Sequence, residues 1–318
     1  MRKLGAKMNT VTPWRAAMAT DPGLLRSNNE DRVYVDETAG LFLVVDGVGG
    51  HAAGEKAAEL AIQTIPREME SRHIPMEELV RNAITCANNE IYQLSQSNEE
   101  YRGMACVLTL AVAQEDTITF GHVGDSRLYL VWNGAVRKLT SDHSWVGELE
   151  DQGTLSEAGA MNHPRRNEVF RDVGSRLRES TDEGFIETKS FPFHPDAALL
   201  LCSDGLSDAL TSAEIGAIAE QYDGDPESVV RLLIEAANEA GGRDNISVIF
   251  VAGPEFLGSA SRSMAEARTR HAVTRMRRSS RRWRYWAERF GWLIAGMILG
   301  AIAWVLIERT IGRSLLPR

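Results

Sequence analysis

Apolar and polar residues follow two periods along this chain, and each change of period marks a new element. Alternating or unbroken apolar runs predict strands at 16–20, 32–36 and 41–45, then at 104–113, 117–123, 127–132 and 135–139. Three more are predicted at 184–190, 197–202 and 245–251. Between the first two groups the spacing becomes helical. In 54–70, Ala58, Ala61, Ile62, Ile65 and Met69 share a face, and in 76–96 the stripe runs from Met76, Leu79 and Val80 to Ile91 and Leu94. Two later helices are predicted at 211–221 and 226–240, the second with Pro226 in its first turn. Residues 142–183 are polar, with few apolar periodicities, and predict a surface flap with short helical pieces. Hairpin signals such as QED and NG predict antiparallel pairing. Two amphipathic helix pairs can each cover one sheet. The economical fold is therefore α+β, an α-β-β-α sandwich of two antiparallel sheets flanked by helix pairs.

The C-terminal pattern differs. FGWLIAGMILGAIAWVLI, residues 290–307, is eighteen residues without a charge, near the lower limit for a helix crossing a bilayer. Ten arginines precede it between Arg262 and Arg289, and tryptophans stand near both ends. A C-terminal transmembrane helix is expected, with the arginine side facing the cytoplasm. The expected organisation is a folded domain at 1–257, an arginine-rich juxtamembrane linker at 258–289 that can touch anionic membrane lipid, the span at 290–307 and a short tail at 308–318. Gly296 and Gly300 form a GxxxG match.

Charge sharpens this division. The 318 residues carry a net −9, but 259–318 hold thirteen arginines against three glutamates. Residues 1–258 are left with 22 basic and 41 acidic side chains, a balance of −19. That excludes nucleic acid as a natural partner of the domain. Cys86, Cys106 and Cys202 form no CxxC pair, and Cys106 and Cys202 lie in apolar runs, so buried inert thiols are expected.

Five aspartates stand at strand ends or tight turns beside glycine, serine or asparagine: Asp31, Asp46, Asp125, Asp204 and Asp244. An acid that ends an apolar strand packs poorly and suits a hard cation. Oxygen-only ligands favour Mg2+ or Mn2+ over zinc, and the Gly47 carbonyl can add to the set. Two such ions can clamp a phosphoryl group and make hydroxide from a bridging water. Arg26, five residues before Asp31, is a suitable bidentate donor to phosphate, and His51 lies in the glycine turn after Asp46 as a candidate general acid. Ser203 in CSDG lacks the GxSxG context of a nucleophile. His122, His143 and His163 are read as structural.

RSNNED, VVDGVGGHAAGE, VGDSRLYL, SDHSWV, HPRRN, LLLCSDGLSD and GGRDNISVI, in this order over about residues 16–251, resemble the motifs of the metal-dependent, protein phosphatase 2C-type family in its bacterial form. The resemblance implies hydrolysis of phosphoserine and phosphothreonine in protein substrates by a metal-bridging hydroxide at a binuclear Mg/Mn centre. It implies that Asp46 bridges both ions and that the Gly47 carbonyl binds one. Asp204 and Asp244 would hold the other, and Asp31 would act through water. Asp125 would help hold a third, weaker ion, and Arg26 would grip the phosphate. The flap around 152–174 would shape access. The chain departs from the pattern in three places. Val48 stands where eukaryotic relatives place their acid histidine, leaving His51 as acid or as loop structure. Gly103-Met104-Ala105-Cys106 replaces a Gly-Thr-Thr run, and Phe170-Arg171-Asp172-Val173-Gly174 replaces an arginine-alanine-leucine-glycine run. The reading is a signalling phosphatase anchored by one span in the bacterial inner membrane, its catalytic domain in the cytoplasm, opposing a serine/threonine kinase. The alternatives are a membrane-tethered, non-catalytic phosphoprotein binder, which would have lost carboxylates, and a partner-switching phosphatase, which would need a sensor domain.

Overall fold

The computed structural model describes residues 14–49, 52–70, 73–264 and 297–304. Ten strands form two five-stranded sheets in which all neighbours are antiparallel. The first sheet has the order β1 (Arg15–Asp21), β10 (Ile246–Ala252), β9 (Ala198–Cys202), β6 (Arg127–Trp132) and β7 (Ala135–Lys138). The second has the order β2 (Arg32–Asp36), β3 (Leu41–Val48), β4 (Ala105–Gln114), β5 (Thr117–Val123) and β8 (Glu187–Pro192).

The apolar runs of the central strands are unbroken because both faces are buried. Along β3, Leu41, Leu43 and Val45 face α1 (Ala52–Glu68) and α2 (Met76–Ser97), while Phe42 and Val44 face the other sheet. Along β9, Ala198, Leu200 and Cys202 pack with residues of α6 (Ser212–Ala219) and α7 (Pro226–Glu239), and Leu199 and Leu201 enter the inter-sheet layer. Three apolar layers result, one between the sheets and one under each helix pair, as the α-β-β-α expectation requires. Helix starts follow local chemistry. Thr211 and Glu214 form a capping box at α6. The Asp225 side chain accepts from Glu227 N at α7, where Pro226 occupies the first turn.

One expectation needs correction, and one element was not foreseen. The strand expected at 184–190 is displaced to Glu187–Pro192, because Phe185 and Ile186 are buried against the α1–α2 side and do not pair. A four-residue helix, α5 (Asp204–Ser207), follows β9 directly, too short to show a period. The flap holds two short helices, α3 (Trp145–Asp151) and α4 (Glu157–Met161), each with a serine N-cap. Cys106 and Cys202 are buried, as expected.

Residues 261–318 form a separate unit, of which 261–264 and 297–304 are described and helical. Within it, Met297, Ile298, Leu299, Ile302 and Trp304 are exposed. Among the described residues no helix is long and apolar enough to cross a membrane. Most of the span expected at 290–307, and Gly296 of the GxxxG match, lie outside them.

Candidate metal centre

The chain passes between the sheets at β1→β2 and at β5→β6, and those passages carry Arg26, Asp31 and Asp125. Strand register then fixes their neighbours. The pair Arg32↔Val45 sets Asp31 beside Asp46 at one end of the β2–β3 ladder. The pair Arg127↔Cys202 sets Asp125 beside Asp204. The pair Asp21↔Ile246 brings the Arg26 loop to Asp244. Three ladders thus deliver five acids, remote in the chain, to one end of the sandwich.

Their electrostatics agree. Burial pushes Asp46 well above the ordinary carboxylate range, and the charges of Asp31, Asp204, Asp125 and Asp244 push it further. Asp204 is raised in the same way, by burial and then by Asp125, Asp208, Asp244 and Asp31. Burial lifts Asp31 to about 6 despite the hydrogen bond from Ser203. Burial lifts Asp125 to about 7, aided by Asp142 and Asp208 and opposed by Arg127. Among the described residues, the one cation paired with these five acids is Arg26, whose guanidinium lies 2.7 Å from Asp244 Oδ2.

These residues fit a hard cation. Asp31 is 1 % exposed, and its Oδ2 accepts from Ser203 Oγ at 2.7 Å, yet its Oδ1 has no hydrogen-bond partner. A buried carboxylate oxygen left unpaired among other carboxylates is what a metal ion or a metal-bound water would satisfy. Gly47 leaves the backbone open there. A Cβ at Gly47 would collide with the Gly54 carbonyl and sit 2.9 Å from the Glu30 carbonyl oxygen.

Sequence reasoning missed the residues that hold the acids in place. Asn245 is buried and ties three loop segments together. Its Oδ1 accepts from Glu30 N at 2.8 Å, and its Nδ2 donates to Pro22 O at 3.1 Å and Asn28 O at 2.8 Å. Ser203, dismissed as a nucleophile, orients Asp31 and accepts from Ser247 N at 2.9 Å. Arg127 grips Asp142 through Nε and its terminal nitrogen at 2.6–3.1 Å and reaches Glu150 of the flap at 3.0 Å. Each stands next to a motif aspartate or within two residues of one, which is the only signal the sequence held. His51 lies outside the described residues.

His122 and His143 are buried, as a structural role requires, and burial lowers both, His143 to about 2. With Glu187 they form a second cluster of potential ligands. The His143 ring is already engaged. Its Nδ1 accepts from Gly124 N at 3.0 Å and its Nε2 faces Arg171 at 3.0 Å.

Three comparisons complete the picture. The family model described as "Protein phosphatase 2C" matches residues 26–244. A serine/threonine phosphatase, stp, of Listeria innocua is 36 % identical over 246 residues, covering 74 % of this chain and 94 % of its own length. Among solved structures, the serine/threonine phosphatase PstP/Ppp of Mycobacterium tuberculosis superposes with a TM-score of 0.67 at 30 % identity, over 77 % of this chain and 99 % of the other. A PstP catalytic domain in complex with two manganese ions gives 0.66 at 29 % identity, over 75 % and 97 %.

Proposed function

The chain belongs to the protein phosphatase 2C family and is a Mn2+- or Mg2+-dependent serine/threonine phosphatase acting on phosphoproteins, and from that premise we propose how its residues divide the work. Two ions would be held by Asp46, the Gly47 carbonyl, Asp204 and Asp244, with Asp46 shared between them. Asp31 would act through water, and Asp125 would help hold a third, weaker ion. The observation that carries this reading is the register-driven convergence of the five carboxylates, with Asp31 Oδ1 buried and unpaired. When bound, such ions supply Lewis-acid activation of water and neutralise phosphoryl charge. Arg26, now on Asp244, is placed to donate two parallel hydrogen bonds to phosphate oxygens and so orient phosphorus for in-line attack. His51 is the proposed proton donor to the departing serine or threonine oxygen.

Substituting Asp46→Asn or Asp204→Asn in the full chain should lower Mn2+-dependent hydrolysis of a phosphoserine peptide by at least about 100-fold. Near-normal turnover in both would defeat these assignments. A non-catalytic phosphoprotein binder is disfavoured, since all five carboxylates are present.

We further propose that residues 290–307 tether the enzyme to the bacterial inner membrane, with the catalytic domain in the cytoplasm opposing a serine/threonine kinase. Support comes from the uncharged eighteen-residue run, the arginines before it and the exposed apolar side chains of 297–304. The protein should stay with membranes after carbonate washing and leave them only with detergent. Release by carbonate alone would rule out the span.

A further inference from the structure

A cavity of about 200 Å3 opens beside the metal centre. It is smaller than the roughly 300–1,000 Å3 of ordinary small-molecule pockets and has room for one side chain. Its walls include Met161 and Arg166 from the flap, Asp208 and Ala209 beyond α5, and Arg243 and Asp244 before β10.

The walls carry two arginines and two aspartates, but these are not all paired with one another. Asp208 accepts from Arg166 at 2.7 Å, and Asp244 accepts from Arg26 at 2.7 Å. Arg243 is exposed and has no ion-pair partner among the described residues. Among the described residues it is therefore the guanidinium of the cavity wall that no carboxylate pairs. The backbone that carries it is anchored on both sides. Gly242 O accepts from Leu24 N at 2.7 Å and Leu25 N at 3.2 Å, and Asn245 is fixed by the loop contacts already described. An arginine on an anchored backbone gives up only side-chain freedom when it meets a carboxylate, whereas one on a loose loop also gives up backbone freedom. The surrounding domain is strongly acidic, so this charge is a local exception and not part of a basic face.

We infer that this cavity receives a side chain of the phosphoprotein substrate near its phosphorylated residue, and that Arg243 selects an acidic side chain there. The inference rests on the phosphatase reading and adds a substrate class to it. A merely solvated surface arginine would confer no such preference.

The test uses the full chain with Mn2+ and phosphoserine peptides carrying glutamate, alanine or lysine in turn at each position up to about three residues either side of the phosphoserine. At one position glutamate should be favoured over alanine by about three- to fivefold in kcat/KM, an exposed ion pair's worth. The ratio should fall to about one in Arg243→Ala and turn towards lysine in Arg243→Glu. Ratios measured on one enzyme cancel any loss of folded protein. A wild-type ratio near one at every position would overturn the inference while leaving the phosphatase intact. So would a preference unchanged in both variants. Absence of Mn2+-dependent hydrolysis of every peptide and of para-nitrophenyl phosphate would overturn the phosphatase reading, and this inference with it.

Discussion

At the scale of single residues, Asp31 shows how the site is built. Its carboxylate is buried, half satisfied by the Ser203 hydroxyl, and half unpaired. A carboxylate in that state carries an unmet desolvation penalty until a cation or a proton arrives. Ser203 fixes which oxygen is left free, because its own hydroxyl is held by Ser247 N. Outer groups that orient a ligand are commonly worth about 10–100-fold in metal affinity. Ser203→Ala should therefore weaken Mn2+ binding by about that factor in titration calorimetry, with the cooperative unfolding transition retained. Unchanged affinity would mean that Asp31 needs no such orientation.

At the scale of elements, the loops are as important as the strands that carry them. Asn245 joins the turn before β10 to the β1→β2 passage through three partly buried hydrogen bonds. Removing its side chain deletes all three, so Asn245→Ala should cost about 2–4 kcal/mol in denaturant unfolding. Arg127 likewise pins β6 to the flap. Arg127→Ala leaves the buried Asp142 carboxylate with Lys138 alone, 3.6 Å away, and should cost about 2–4 kcal/mol. A loss below about 1 kcal/mol for either would show that the loops are held by something else. The sandwich itself was legible in the sequence, because strand and helix periods are local and the central strands are apolar on both faces. The five aspartates were legible because each stands at a strand end or tight turn beside glycine, serine or asparagine. Asn245 and Arg127 were not, since their partners lie 15 to 223 residues away and no period records a side-chain bond. Phe185 and Ile186 misled the strand assignment because an apolar pair reads alike whether it joins a ladder or fills a core.

At the scale of the whole molecule, gathering the acids makes stability depend on pH and metal together. Asp31 and Asp125 are raised to about 6 and about 7 in the folded state. The folded, metal-free protein thus holds protons that the unfolded chain releases near pH 4. Its stability from these groups is complete below pH 4 and is lost as pH rises through about 6 to 7. A bound divalent ion replaces the protons and cancels that loss. Thermal melts in a chelator should show Tm falling between about pH 4 and 7 relative to melts in Mn2+, with the gap widest at the upper end. A gap independent of pH would contradict the linkage. The most direct test of the central claim, that distant carboxylates converge on paired divalent ions, is anomalous diffraction from crystals grown in manganese. The account predicts two peaks about 3.5–4 Å apart, sharing Asp46 and flanked by Asp204 and Asp244. Manganese absent from that cluster, or bound at a single position without Asp46, would contradict it.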